Sequence, residues 1–268
     1  RHLMLSAIHP PWRARIPNQE RTTMDFALTD EQELLIQSVR EFCEQHITEE
    51  KVQSWYAAHE LPQEFTKAWV DAGFGLLGIP EELGGTPCDL LTQCMVVEEY
   101  CRFSAANLPM YLTSLVMFDI VELGTDEQIK MCLDTYKETG KSLISLAISE
   151  PGAGSDNMNM STVARTREDG KKVVINGQKT WVTNGENTPL TLVVAKDEDP
   201  SRENNKMSLW IVDMAAEGVS TAKLDKIGNQ IAPFCEIYFD DVVLEPTALV
   251  GERGTGFMNL MKNFEFER

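Results

Sequence analysis

The sequence predicts an α+β protein, with an all-helical N-terminal domain followed by an antiparallel β-barrel domain. From Met24 to about residue 140, apolar side chains recur at intervals of three and four residues, which is the spacing of one helix face. From residue 141 to about 250, apolar runs shorten to strand length and are separated by Gly, Pro, Asn and Asp. Short strands with almost no helix between them favour a barrel or sandwich over a doubly wound parallel sheet. We therefore expect domains at 24–140 and 141–250, with residues 251–268 beginning a further helical unit.

The helical domain is predicted from caps and periodicity. Thr29-Asp30-Glu31-Gln32 is a capping box that begins a first helix. A second helix is expected between Pro62 in its first turn and the stop at Gly73. Apolar periodicity then predicts a third helix over 90–102 and a fourth that ends near Leu123. A second capping box, Thr125-Asp126-Glu127-Gln128, begins a fifth helix.

The β domain is predicted from short apolar runs between turn residues. Asp169-Gly170, between two such runs, is a strong hairpin signal. The predicted strands are 142–148, 163–166, 172–175, 180–183, 191–195, 208–212 and 236–239.

Length and charge limit the functions that this chain can have. Its 268 residues are enough for a buried core, and 42 acidic against 24 basic residues give a net charge of −18. That charge repels phosphate backbones and anionic lipid, so we expect no nucleic-acid binding. The longest uncharged run, 103–118, is shorter than the roughly 20 apolar residues of a membrane helix, so we expect no membrane insertion.

The cysteines and histidines bear on compartment and metal binding. Six cysteines without a Cys-x-x-Cys pair, and no apolar signal segment, favour a reducing cytoplasm. All four histidines lie within the first 59 residues, so a zinc motif of the His-Glu-x-x-His type is absent and we expect no metal.

Residues 1–23 carry four arginines and one acid. We interpret them as a disordered upstream or added tail, since three prolines oppose the amphipathic helix of a transit peptide.

A first candidate site follows the strand at 142–148. Ser149-Glu-Pro-Gly152-Ala-Gly154-Ser155-Asp156 is a turn whose glycines let backbone N–H groups approach an anion such as pyrophosphate. It lacks the third glycine of a dinucleotide fingerprint and the lysine of a phosphate-binding loop. An ordinary Gly-Pro turn is the alternative.

A second candidate site lies in the strand at 180–183. Trp181 and Thr183 are expected on one strand face, directly before the Asn184-Gly185 turn. A flat ring beside a hydroxyl suits a planar cofactor. Both residues are also ordinary in strands, which is the alternative.

A third candidate site lies in the last stretch, 251–268. Apolar residues from Phe257 onward return to helical spacing, and no capping residue follows before Arg268, from which we infer a helix interrupted by truncation. Phe264, Glu265 and Arg268 share about one helical turn, with Arg268 available to a phosphate or carboxylate. A solvated charge pair is the alternative.

Taken in order from Met24 to Arg268, these pieces resemble the acyl-CoA dehydrogenase family. Each motif is weak alone, but six in register are specific: Asp30–Leu34, Gly78–Gly85, Ser149–Asp156, Trp181–Gly185, Phe239–Val242 and Gly254–Phe257. The family fold has an N-terminal helical domain, a middle β domain and a C-terminal four-helix domain. The resemblance thus implies that only the start of the third domain is present here, at 251–268.

The resemblance implies FAD as the cofactor. Ser149 would hydrogen-bond the pyrimidine side of the flavin, Trp181 would pack against the ring system, and Thr183 would reach N5, which accepts hydride. Ser155 would serve both the pyrophosphate and the acyl-CoA substrate, and Phe264, Glu265 and Arg268 would contact CoA. The implied cofactor-binding residues are Leu146, Ala147, Ile148, Ser149, Gly154, Ser155, Trp181, Val182 and Thr183.

The resemblance also implies a reaction. In this family a carboxylate removes the α-proton of an acyl-CoA thioester while the β-hydrogen passes to the flavin, or the reverse reduction occurs. Electron-transferring flavoprotein takes the electrons, and the full-length protein would form a homodimer or homotetramer. The family's catalytic glutamate lies in the C-terminal domain, so we assign no catalytic residue and expect the truncated chain to be inactive alone.

Several alternatives are open at this point. Leu146 and Gln230, with the stretches Ile211–Met214 and Glu236–Phe239, look most like the branch that handles carnitine-derived crotonobetainyl-CoA. An acyl-CoA oxidase or flavin monooxygenase relative, or a non-catalytic flavin- or CoA-binding fragment, would share the same fold. A serine hydrolase is disfavoured, because every histidine precedes the one elbow-like serine, Ser220.

Overall fold

The computed structural model of the protein describes residues 27–104, 109–167, 170–198 and 206–267. Side chains are described throughout these ranges except at 109–115 and 262–267. The predicted tail at 1–23, Arg268, and Asp169 of the predicted hairpin lie outside the described residues.

Six helices form the N-terminal part of the described chain, and the helices predicted there are confirmed. Both capping boxes are present: the hydroxyls of Thr29 and Thr125 accept from the backbone of Gln32 and Gln128, whose side chains bond back to the caps. The sequence did not predict α2, a helix of ten residues in which only Trp55 is fully buried. The helices are α1 (Asp30–His46), α2 (Glu49–Ala58), α3 (Gln63–Asp71), α4 (Leu90–Ser104), α5 (Pro109–Leu123) and α6 (Asp126–Thr139).

Eight strands follow in a single sheet, and α7 (Gly256–Glu267) follows the last of them. The predicted strands 172–175 and 180–183 form one long strand, with irregular register at Gly177 and around Trp181. The sequence missed β6, whose residues are mostly exposed at the sheet edge, and the two-residue β8. The strands are β1 (Ile144–Ala147), β2 (Val163–Thr166), β3 (Val173–Thr183), β4 (Leu190–Glu198), β5 (Met207–Asp213), β6 (Val219–Leu224), β7 (Phe234–Leu244) and β8 (Leu249–Val250).

The predicted order of a helical domain and then a β domain is confirmed, but the sheet is mixed rather than antiparallel. The sheet runs β6-β7-β3-β2-β4-β5-β8, and β1 pairs with β4 off this path. Both β1 and β2 are parallel to β4, while the other neighbours are antiparallel. Within the described ranges β6 and β8, the two ends of the path, do not pair, so closure of the predicted barrel is not seen among these strands.

One hydrophobic core joins the helices to the sheet. Ile120 of α5, Leu133 of α6 and Leu260 of α7 are buried together with Leu192 and Leu209 of the sheet. A second core lies among sheet residues such as Val193 and Trp210 of β4 and β5. A third core, between α1, α3 and α4, is rich in aromatic rings. Over the part of the chain that the structure describes, every helix is too short or too polar to cross a bilayer.

Candidate functional site

The turn predicted as the first candidate site belongs to a loop that leaves the sheet and returns to the same edge. β1 pairs with β4 as far as Val193, and β2 begins its pairing with β4 at Lys196. Residues 148–162, which we call the 148–162 loop, therefore begin and end at neighbouring positions of β4. Because its ends are fixed so close together, the loop projects from the sheet as a compact excursion.

A buried carboxylate closes the base of this loop. One carboxylate oxygen of Glu150 accepts a hydrogen bond from the Ser161 hydroxyl at 2.7 Å, and the other accepts from the Thr162 backbone N–H at 2.9 Å. The Ser161 backbone N–H also donates to Glu150. Glu150 is 5% exposed, so these bonds join the first and last residues of the loop away from water.

Lys179 of β3 lies beneath the loop and is completely buried. Its ammonium group donates to the Glu150 carboxylate at 2.9 Å and to the Ile148 carbonyl at 2.8 Å. Burial lowers the pKa of Lys179 to about 8, against the opposing effect of Glu150. Burial would raise the pKa of Glu150, but hydrogen bonds from Ser161 and Thr162 and the charge of Lys179 together lower it to about 2. Both side chains are therefore charged at neutral pH.

Ser149 connects the two candidate sites predicted from the sequence. The backbone N–H of Thr180, next to Trp181, donates to the Ser149 carbonyl at 2.8 Å. The loop and the Trp181 stretch are thus brought side by side. The Ser149 side chain is half-buried and makes no hydrogen bond with the described residues, so its hydroxyl is available to a ligand.

The tip of the 148–162 loop leaves its backbone accessible. Glu150 and Ala153 exchange two backbone hydrogen bonds, which form a tight turn. A Cβ atom added at Gly152 or Gly154 would meet nothing within 4 Å, and neither glycine has a positive φ. Ser155 beside them is exposed. An anion can therefore approach these backbone N–H groups closely.

Trp181 lies on a β-bulge, which the sequence did not predict. Between the pairs Lys179–Ile237 and Val182–Cys235, two residues of β3 face the single residue Glu236 of β7. Trp181 adopts φ +61°, a left-handed conformation that is rare for a bulky side chain. The indole is 56% exposed, whereas Val182 beside it is buried in the sheet core. A bulge of this kind redirects a side chain, and here it turns a large aromatic ring toward solvent.

A second ring and a cation border Trp181. Phe234 lies edge-on to the indole, with ring centroids 6.4 Å apart. Lys226 lies 4.0 Å from the Phe234 ring and donates to the carbonyls of Asn229 and Ala232, and burial lowers the pKa of Lys226. The site residues predicted from the sequence do not include Phe234, Lys226, Glu150 or Lys179.

The other predicted site residues occupy three kinds of position. The side chains of Ala147 and Val182 are buried in the sheet core, so only their backbone can reach a ligand. Leu146 and Ile148 are half-buried against the core that faces the helices, while Thr183 is half-buried and makes no side-chain hydrogen bond with the described residues. The side chains of Phe264 and Glu265 are not described, and Arg268 lies outside the described residues. In the described ranges no three His, Cys, Asp or Glu side chains are arranged to hold a metal ion.

Two domains of one known family match this chain. Residues 29–136 match the acyl-CoA dehydrogenase N-terminal domain, and residues 145–242 match the acyl-CoA dehydrogenase middle domain. A probable acyl-CoA dehydrogenase of Escherichia coli strain K12, YdiO, is 40% identical over 247 residues. That alignment covers 91% of this chain and 63% of the relative, so the chain spans less than two thirds of the relative's length.

Solved structures of similar proteins support the same assignment of the fold. A probable acyl-CoA dehydrogenase from Mycobacterium abscessus is 28% identical with a TM-score of 0.80, covering 89% of this chain and 63% of that one. The acyl-CoA dehydrogenase from Geobacillus kaustophilus is 29% identical with a TM-score of 0.79, covering 91% of this chain and 64% of that one.

Proposed function

Because the chain belongs to the acyl-CoA dehydrogenase family, we propose that it takes part in the FAD-dependent α,β-dehydrogenation of an acyl-CoA thioester, or in the reverse reduction. The chain's share of this function is to bind and orient the flavin and to supply part of the CoA site. The general base of the reaction is not assigned to any residue of this chain.

The exposed indole of Trp181 is the observation that carries the proposal. A tryptophan 56% exposed on a strained bulge leaves a large flat apolar surface in water. A planar ring system placed against that surface removes it from water. The open glycines of the 148–162 loop lie next to it, through the contact of Thr180 with Ser149, and suit a pyrophosphate. The residues present therefore fit a flavin dinucleotide.

Each side chain at this site has a distinct role in the proposal. The Ser149 hydroxyl, free of other partners in the described chain, hydrogen-bonds the polar edge of the flavin. The Thr183 hydroxyl, two residues after Trp181 and without a side-chain hydrogen bond in the described chain, donates toward the reacting nitrogen. FAD supplies the hydride acceptor for the β-hydrogen of the substrate. Ser155 and the backbone at Gly152 and Gly154 hold the pyrophosphate.

The substrate and partners follow from the family. Ser155, the α7 residues Phe264 and Glu265, and also Arg268 are proposed to contact the CoA portion. Electron-transferring flavoprotein is the proposed electron acceptor, and a homodimer or homotetramer the proposed assembly. The six cysteines all lie in the described residues and form no disulfide bond, which supports the proposal of a reducing cytoplasm.

Flavin binding tests the proposal directly. Protein incubated with excess FAD and separated by gel filtration should retain the visible absorption of bound flavin. Thr183→Val should slow reduction of the bound flavin more than it weakens binding, because it removes one hydrogen bond worth roughly 0.5–1.5 kcal/mol at the atom that receives hydride. Thr221→Val, at an exposed position of the edge strand β6, is the matched control. Colourless protein with native circular dichroism would refute the proposal.

A further inference from the structure

Within the described residues, every hydrogen bond of the Lys179 ammonium group goes to the 148–162 loop. The ammonium group donates to the Ile148 carbonyl and the Glu150 carboxylate at the start of the loop, at 2.8 and 2.9 Å. At the end of the loop, the Met160 sulfur lies 3.8 Å away. An ammonium group has three N–H donors, so these three contacts use its full capacity. A single β3 residue thus joins both ends of the loop to the sheet.

These contacts enclose Ser149 on both sides. Lys179 holds the carbonyl of the residue before it and the carboxylate of the residue after it. The carbonyl of Ser149 itself accepts from Thr180, the neighbour of Lys179 along β3. Residues 148, 149 and 150 are therefore each hydrogen-bonded to β3, which holds the backbone at Ser149 in place. The Ser149 hydroxyl is left without a partner in the described chain.

Stability alone does not account well for a charged pair in this place. Removing two charges from water is costly, and well-packed apolar residues often replace a buried ion pair with no loss of stability. The pair instead fixes the geometry of the loop, because a hydrogen-bonded ammonium–carboxylate pair is stable only over a narrow range of distances and angles. Preorganised loops bind ligands more tightly because less ordering is required on binding.

We propose that Lys179 and Glu150 are positioning residues, which hold Ser149 in place and close the 148–162 loop before a phosphate-bearing ligand arrives. The identity of that ligand as FAD rests on the function proposed above. The order of the loop in the ligand-free protein does not rest on it. The two ideas can therefore be tested separately.

Hydrogen exchange of the ligand-free protein, read by mass spectrometry on peptides covering 151–159, tests the positioning role. Lys179→Met should speed exchange in these peptides by about tenfold or more, because a buried carboxylate loses its partner. The double variant Glu150→Gln/Lys179→Met carries no uncompensated charge. Its melting temperature should return toward the wild-type value while loop exchange stays fast.

The control is Glu99→Gln, which weakens the ion pair of another buried glutamate. Glu99 lies 2.8 Å from Arg40 in the helical domain. Glu99→Gln should lower the melting temperature without changing exchange at 151–159. Unchanged loop exchange in Lys179→Met would overturn the proposal. So would a double variant in which loop exchange recovers together with the melting temperature, since the pair would then act only through stability.

FAD titration of the same proteins separates this proposal from the proposed function. If the wild type binds FAD, the double variant should bind about tenfold or more weakly although it is folded, whereas Glu99→Gln should bind as the wild type does. Equal affinity in the double variant would overturn the positioning role. If the wild type does not bind FAD, the proposed function fails, and the hydrogen-exchange result alone decides the role of Lys179 and Glu150.

Discussion

Replacement of Glu150 by glutamine should change how the protein responds to acid. In the folded protein the pKa of Glu150 is lowered from 4.5 to about 2, so folding favours the ionised carboxylate. A group with a lowered pKa stabilises the folded state fully above its unfolded value, and this contribution disappears as the pH falls toward the folded value. The Glu150 contribution is therefore present above about pH 4.5 and is lost between pH 4.5 and pH 2.

The size of the effect follows from the same two values. Each tenfold difference in proton affinity between folded and unfolded states corresponds to about 1.4 kcal/mol, so the full contribution is at most about 3 kcal/mol. By pH 3 about 2 kcal/mol of it should be lost. Glutamine has no proton to gain in this range. The gap in unfolding free energy between wild type and Glu150→Gln should therefore narrow by about 2 kcal/mol from pH 5 to pH 3.

Urea unfolding followed by circular dichroism and tryptophan fluorescence at pH 5, 4 and 3 measures this gap. Glu82→Gln, at an exposed position on a short 3₁₀ turn, is the control for loss of one surface carboxylate. Its gap from the wild type should stay within about 0.5 kcal/mol at all three pH values. A gap for Glu150→Gln that is equally wide at pH 5 and pH 3 would refute the reasoning, because Glu150 would then titrate alike in both states.

Three further predictions concern the local structure around the site and the core. Thr125→Ala removes the cap of α6 and should lower the unfolding free energy by about 1 kcal/mol in thermal melts, with Thr125→Ser restoring it. Gly154→Ala should change the unfolding free energy by less than about 0.5 kcal/mol and yet weaken FAD binding in titrations. Gly85→Ala should lower the unfolding free energy by about 1–3 kcal/mol, because its Cβ would lie 2.4 Å from the Ile79 carbonyl oxygen. Asp197→Asn weakens the bond to Arg253 at 2.8 Å and should lower the urea midpoint and speed hydrogen exchange at 251–255; unchanged values in both would refute this role.

Local signals explain why most helices could be predicted. A capping box requires only four adjacent residues, and those beginning at Thr29 and Thr125 define the starts of α1 and α6. The helix α2 was missed because it is short: Trp55 is the one fully buried residue among its ten, and Val52 and Tyr56 are only half-buried beside it. Helix prediction succeeded here wherever the interaction that fixes the helix lies within a few residues along the chain.

Strand pairing depends on contacts that the sequence does not show. The runs at 163–166 and 191–195 are readable as strands, but nothing local indicates that β2 lies parallel to β4. The edge strand β6 carries mostly exposed residues, so it has no apolar run to detect. The choice of an antiparallel sheet was therefore a default, and long-range packing overrides it.

The geometry of the candidate site could not be predicted from the sequence. The left-handed conformation of Trp181 arises from a bulge against Glu236, which lies 55 residues further along the chain. Lys179 did leave a signal in the sequence. Lys179 is a charged residue at an inward-facing position of β3. A charged residue in such a position is rarely buried without a partner.

The glycines around the 148–162 loop differ in what requires them. A Cβ atom at Gly177 would lie 2.4 Å from the Thr162 hydroxyl at the base of the loop, so the chain's own packing demands glycine there. At Gly152 and Gly154 a Cβ would meet nothing, and neither φ is left-handed, so the described fold would accept alanine at both. A glycine costs backbone entropy on folding. Two that the described fold does not require, beside an exposed indole and a hydroxyl without a partner in the described chain, support the proposal that a ligand approaches the backbone here.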